Sequence, residues 1–438
     1  MSEVQRTQGK GEDGGRRASL RRLLTGATLA LVILSTSAVC TSPDGFGAVR
    51  AQRHGAAQGE AGALLLRALE LLRAGKREEA EPLVRRALAA EPGNADAHTL
   101  LGIILDQRGR AREAEAQHRE ALRLAPRSVS ARVNLGVLLA RTGRHEEAAA
   151  LFARAEELQP GAFDIVYNLG VSLYNLKRLD EAAARLEAAS ALAPAAPEPL
   201  YYLGLVAYER GRDETAGELW ERAVALRPDY APAHFMLGEV LRKHGRLAAA
   251  RDFYEGAVRQ DPSQPVYHVR LGGTYILLKQ FDRALEVFQA AGRLFPGVDE
   301  LDYFTGLAAR GKGDYDLAQS ALRRALARRP ENADALALLG ALLSDRGDAA
   351  EAEALLRRAV ARDAGHFNAH RDLGALLLRS GRHAEAVTVL RHAAALNDGD
   401  PEVHYKLYTA LTRLGRKEEA GRELDAYQRL TRAEGQKK

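Results

Sequence analysis

With 438 residues the chain is too long for one ordinary hydrophobic core, so it divides into domains or is built from repeats. Apolar residues make up 46% and charged residues 28%, the proportions of a folded protein rather than a disordered one. The net charge of +5 is unevenly placed: residues 1–57 carry +4 and the rest about +1, which leaves the body without an electrostatic footprint for nucleic acid.

The chain opens on a basic leader, residues 1–22, followed by an apolar stretch at 23–39 and a Gly-, Ala- and polar-rich segment at 40–60 that reads as a flexible linker. The stretch 23–39 has the length of a signal-peptide h-region or a minimal N-terminal transmembrane anchor. Six Lys/Arg precede it and two follow soon after, which predicts the N-terminus in the cytoplasm and the remaining chain on the periplasmic side of a bacterial inner membrane. Three readings stay open: a cleaved signal peptide (after Ala51 or nearer Ala38), a retained anchor, and a leader on a cytoplasmic protein. Arg16-Arg17 resembles a twin-arginine export signal without its aromatic residue. Cys40, the single cysteine, follows Val39 where a lipidation site expects a smaller residue. One cysteine excludes an intrachain disulfide and a thiolate metal site. No N-x-S/T sequence occurs, in keeping with a bacterial origin.

From residue 61 onward the chain repeats itself every 34 residues. Gly102, Gly136, Gly170, Gly204, Gly238, Gly272, Gly306, Gly340 and Gly374 mark the period, with alanines twelve and nineteen residues after each. Pro92, Pro126, Pro160, Pro194, Pro228, Pro262, Pro296 and Pro330 close the first eight units. The frame predicts eleven units: 61–94, 95–128, 129–162, 163–196, 197–230, 231–264, 265–298, 299–332, 333–366, 367–400 and 401–434. Ala68 and Tyr408 replace the glycine in the first and last units, as end units often depart from the pattern. Each unit reads as two amphipathic helices, A and B, joined by a turn at Gly75, Gly109, Gly143, Gly211, Gly245, Gly313, Gly347, Gly381 or Gly415; Lys177 and Lys279 stand there in units four and seven. The last B helix, predicted from Lys417 to about Arg432, is strongly polar and reads as a cap, with a disordered tail at 435–438.

The pattern x-L-G-x(11)-A-x(6)-A-x(4)-P, as in Asn134 to Pro160, resembles the tetratricopeptide repeat family. The resemblance implies an all-α fold, an α-solenoid in which antiparallel hairpins stack into a right-handed superhelix, and a concave groove lined by the A helices. Carried over position by position, the groove-facing residues are Asn134, Tyr167, Asn168, Tyr174, Tyr201, Tyr202, Tyr208, Phe235, Met236, Arg270 and Tyr303, richest in aromatics mid-array. Tyrosine and arginine suit a binding hot spot, and Asn134 and Asn168 fall where they could meet the backbone of an extended peptide. The carboxylate clamp of chaperone-binding members is not present: Val133, Val137, Glu198 and Tyr202 occupy positions flanking Asn168.

Catalytic and metal chemistry find no foothold. There is no phosphate loop, nucleophile elbow or dinucleotide fingerprint, and the repeats leave no space for a catalytic domain. His366 and His370 are four apart, but His370 shares its repeat position with His234, His268 and His404, which points to packing rather than to a metal site. The sequence therefore predicts a non-enzymatic scaffold without cofactor or metal, binding a protein or extended peptide and touching membrane only through its N-terminal segment. By family analogy its setting is bacterial envelope assembly, secretion or surface-polymer export. The alternatives are an accessory subunit that positions a glycosyltransferase or polysaccharide-export enzyme, and a cytoplasmic adaptor.

Overall fold

A computed structural model describes residues 59–436. The leader, the apolar stretch and the linker up to residue 58 lie outside the described residues, as do Lys437 and Lys438. Among the described residues there are twenty-two α-helices and no strand. Among them, too, no helix is long and apolar enough to cross a membrane.

The chain divides between Val240 and Leu241 into two compact units. The first contains α1 (Glu60–Arg73), α2 (Arg77–Ala90), α3 (Ala95–Gln107), α4 (Ala111–Leu124), α5 (Val129–Arg141), α6 (His145–Leu158), α7 (Phe163–Asn175), α8 (Leu179–Leu192), α9 (Pro197–Glu209) and α10 (Asp213–Leu226). The division falls inside α11 (Ala231–Lys243). The second unit continues with α12 (Leu247–Gln260), α13 (Pro265–Leu277), α14 (Phe281–Leu294), α15 (Glu300–Lys312), α16 (Tyr315–Arg328), α17 (Ala333–Arg346), α18 (Ala349–Arg362), α19 (Phe367–Arg379), α20 (His383–Leu396), α21 (Pro401–Arg413) and α22 (Lys417–Gln436).

Odd-numbered helices are the A helices and even-numbered ones the B helices. Within the units A helices pack on their own B helix, on the preceding B helix and on neighbouring A helices, as α7 does on α8, α6, α5 and α9. No single hairpin buries its apolar face; the stack does it by repetition.

The 34-residue glycine is explained by the residue sixteen places later on the partner helix. A Cβ built on Gly102 would stand 2.5 Å from the His118 ring, on Gly136 2.8 Å from Phe152, on Gly170 2.9 Å from Leu186, on Gly306 2.7 Å from Leu322 and on Gly374 2.5 Å from Leu390. The large B-helix side chain thus lies directly on the A-helix backbone, and both helices close on each other without a void.

The turns follow the sequence. Gly143 has φ 83°, and Lys177 takes the same left-handed conformation at φ 60°. For an L-residue this costs roughly 1–2 kcal/mol, which the stack absorbs. The closing prolines act one residue upstream: Gln159, before Pro160, is extended at φ −140°, because the pyrrolidine ring disfavours helical backbone there. Asp363 and Asn397 adopt the same extended conformation without a following proline, so the stack imposes it in units nine and ten. Asn94, Ser128, Asn332, His366 and Asp400 cap the next A helix by accepting a backbone N–H.

One boundary differs from the sequence reading. The last helix continues to Gln436, four residues past Arg432 and into the segment expected to be disordered. No proline interrupts residues 433–436, and Gly435 costs a helix only about 1 kcal/mol.

Candidate partner-binding surface

The A helices carry the residues expected to face a partner. In the first unit, Tyr167 and Tyr174 of α7 meet Tyr202 of α9 edge-on at 5.9 and 5.7 Å, and Tyr201 meets Tyr230 at 5.6 Å. The Tyr167, Tyr174 and Tyr202 rings bridge the successive A helices α7 and α9. Phe235 and Met236, at the start of α11, are buried as well. In the second unit Tyr303 and Phe304 of α15 are in contact, Phe304 stacks on Phe288 of α14 at 5.6 Å, and Arg270 of α13 is buried.

Nine of the eleven expected groove residues are therefore buried: Tyr167, Asn168, Tyr174, Tyr201, Tyr202, Phe235, Met236, Arg270 and Tyr303. Burial pushes the hydroxyl pKa of Tyr174, Tyr202 and Tyr303 up, so all three stay neutral. Asn134 and Tyr208 are half-buried. The asparagine pair behaves differently from a backbone ladder. Asn134 donates its amide to Ser130 O of its own helix at 2.9 Å, and Asn168 is buried with its Nδ2 unpartnered. Asp164 and Glu209 stand exposed on the same two central A helices, and Lys177 pairs with Glu209 at 3.0 Å while lying over the Tyr174 ring.

Sequence reasoning missed two periodic networks. On the B helices an arginine just before the helix pairs with a glutamate three residues on and with one from the preceding unit. Arg144 bridges Glu147 at 2.6 Å and Glu115 at 2.8 Å, and Arg382 bridges Glu385 at 2.6 Å and Glu353 at 2.7 Å. The signal was present as R-x-x-E recurring in the 34-residue frame. Glu81 is the most enclosed member, its side chain 7% exposed among Arg85, Arg108 and Arg110. Burial raises its pKa, but the arginines outweigh burial and hold the carboxyl below its usual range.

The second network uses the histidines. His98, His234, His268, His370 and His404 each donate Nε2–H to the carbonyl six residues upstream, at 2.9–3.0 Å, pinning an A helix to the end of the preceding unit. His366 accepts the Ala369 N–H through Nδ1 and meets Asp334 through Nε2 at 3.2 Å. Both nitrogens of His366 and the Nε2 of His370 are thus engaged with the chain. Among the described residues no group of three or more His, Cys, Asp or Glu is placed to hold a metal ion.

Residues 71–131, and residues 105–163 with 167–231, match two family descriptions that each read tetratricopeptide repeat. Residues 71–231 are thus similar to tetratricopeptide repeats. Residues 225–438 also match the cilia and flagella-associated protein 70 C-terminal domain. No curated protein matches the chain. Solved structures similar to it include pilF of Pseudomonas aeruginosa, at 25% identity over 48% of this chain and 96% of that one, with a TM-score of 0.42. Others are a tetratricopeptide repeat protein from Parabacteroides merdae, at 16% identity over 57% and 98% with a TM-score of 0.48, and yeast Tom70, at 15% identity over 82% and 96% with a TM-score of 0.40. Tetratricopeptide repeats generally mediate protein–protein contacts, and their fold is typically a non-catalytic scaffold.

Proposed function

We propose that the chain is a scaffold of eleven repeats that holds a protein or an extended peptide against its A helices, on the periplasmic side of a bacterial inner membrane, in envelope assembly, secretion or surface-polymer export. The observation that supports it is A-to-A packing within each unit: successive A helices neighbour each other, so they form a continuous row that no one hairpin owns. In the first unit the buried tyrosines stiffen that row, and Asn134, Asp164, Tyr208 and Glu209 are among its side chains that keep some surface. A stiff backing with a few open polar groups loses little conformational freedom on binding.

The basic leader and apolar stretch of residues 1–39 support the export part of the reading. Fractionation with protease accessibility in intact cells tests it. Repeats protected from external protease until the inner membrane is opened would refute the periplasmic placement. Replacing Tyr167, Tyr201 and Phe235 together by alanine would not test binding cleanly, since all three are buried and each truncation costs about 3–5 kcal/mol. Affinity capture with Asn134→Ala and Tyr208→Ala avoids that problem. Capture of one specific protein by the unaltered chain, reduced by either variant, is expected; capture indifferent to both would remove the A-helix row from the account.

A further inference from the structure

The histidine that recurs on the A helices meets a different neighbour in the last repeat. Nineteen residues after it, on the partner B helix, stand Gln117 for His98, Val287 for His268, Val389 for His370 and Glu423 for His404. The Nδ1 of His98 lies 2.7 Å from the side-chain amide of Gln117, which can turn its N–H groups toward a neutral ring. The Nδ1 of His370 has no hydrogen-bond partner, and burial lowers its pKa. His404 faces acceptors on both sides. Its Nδ1 is 2.7 Å from Glu423 Oε2 of α22, and its Nε2 is 3.0 Å from the Asp398 carbonyl. A carboxylate and a carbonyl only accept, so both bonds form at once only when the ring carries two protons and a positive charge.

The charges around the ring agree with that state. Glu423 comes from α22, and Asp398, in the turn before α21, brings its carboxylate to 3.5 Å from Nε2. On the neighbouring elements Lys406 of α21 is paired with Glu402, Arg371 of α19 with Asp372, and Arg391 of α20 with Glu419. Asp400 accepts the backbone N–H groups of Glu402 and Val403. Burial of His404 to 5% exposure opposes the charge, but the bonds to Glu423 and to the Asp398 carbonyl outweigh it and lift the pKa above its ordinary value. The helix that Glu423 belongs to is held on fewer sides than the other B helices. The close packing of α22 is on α21, whereas α20, for example, also meets the following A helix. A helix held on one side opens more readily than one held on two.

We infer that His404 is a proton-operated latch on the last hairpin: its imidazolium joins Glu423 of α22 to the backbone before α21, and loss of the proton loosens α22. The neutral ring keeps its bond to one acceptor and turns a lone pair on the other. Because the folded ring holds its proton more tightly than the unfolded one, whose pKa is about 6.5, the latch is complete below about pH 6.5 and is lost as pH rises through the folded value. This goes beyond the partner-holding reading and does not depend on it.

Hydrogen–deuterium exchange of the full chain, read by mass spectrometry and corrected for the intrinsic effect of pH, tests the latch. Peptides from α22 should open about fivefold more at about pH 8.5 than at about pH 6, the difference between a charge-assisted and a neutral hydrogen bond. Peptides from α17 serve as the folded reference. Glu423→Gln copies the His98–Gln117 pair and should remove most of the rise, and His404→Gln should remove it altogether. Protection of α22 that does not change with pH in the unaltered chain, or a rise that survives His404→Gln, would overturn the latch. A rise undiminished by Glu423→Gln would overturn Glu423 as its partner. If either variant leaves α22 unprotected at every pH, the other variant and the profile of the unaltered chain still decide. None of these results bears on whether the A helices hold a partner.

Discussion

Gly204→Ala adds one methyl group to the middle of α9, and its Cβ would stand 2.6 Å from Cε2 of Trp220, 2.8 Å from Cδ1 and closer still to Nε1. Trp220 is fully buried and donates Nε1–H to Tyr201 O at 3.0 Å, so the ring cannot withdraw without breaking that bond. Overpacking costs about 1–3 kcal/mol and the strained hydrogen bond about 1 kcal/mol more, against about 1 kcal/mol gained from alanine's helix propensity. The net expectation is a loss of about 1–3 kcal/mol. Gly217, on the B helix of the same repeat, is the internal control: a Cβ there meets nothing within 4 Å. Gly217→Ala should therefore stabilise by about 1 kcal/mol. Urea denaturation followed by helical circular dichroism would show midpoints moving in opposite directions for these two identical substitutions. Because repeat arrays need not unfold in one step, the comparison uses the transition that Trp220 fluorescence reports. A Gly204→Ala protein at least as stable as the parent would refute close approach as the reason for the periodic glycine.

Further outcomes follow from other positions. His118 occupies the place of Phe152 and Trp220, and burial lowers its pKa to about 4, below its unfolded value, so its contribution is complete above about pH 6.5 and is lost as pH falls toward 4. The loss reaches about 3 kcal/mol, and a pH series of urea midpoints should show His118→Phe abolishing it. Glu81, whose carboxyl pKa is depressed, contributes above its unfolded pKa and loses that contribution as pH drops through the folded one. Glu81→Gln should cost about 1–3 kcal/mol at neutral pH and little in acid, seen in the same series. Lys177→Gly relieves a left-handed turn and should stabilise by up to about 1 kcal/mol, less a few tenths for its exposed pair with Glu209, read as a higher urea midpoint.

Much of the fold could be read in the sequence because it rests on residues whose role is local. Gly143 needs a positive φ, Pro160 forces Gln159 out of the helix, and the glycine–alanine period reports where backbones meet. The open or closed state of the A-helix face could not be read the same way. Tyr167, Tyr174 and Tyr202 stand at positions that face a partner in related repeats, but as long aromatic side chains on adjacent helices they reach one another and close over. Depth depends on which residues the neighbouring repeat supplies, and a single-repeat position does not encode that.

The most direct test of the scaffold account places a photo-crosslinking residue, one at a time, at Tyr208 and Asn134 on the A-helix row and at Arg154 and Leu192 on exposed or partly exposed B-helix positions, in the full chain in living cells. The account predicts a discrete protein crosslink from Tyr208 or Asn134 and none from the B-helix positions. Crosslinks confined to the B helices, or none anywhere, would contradict it.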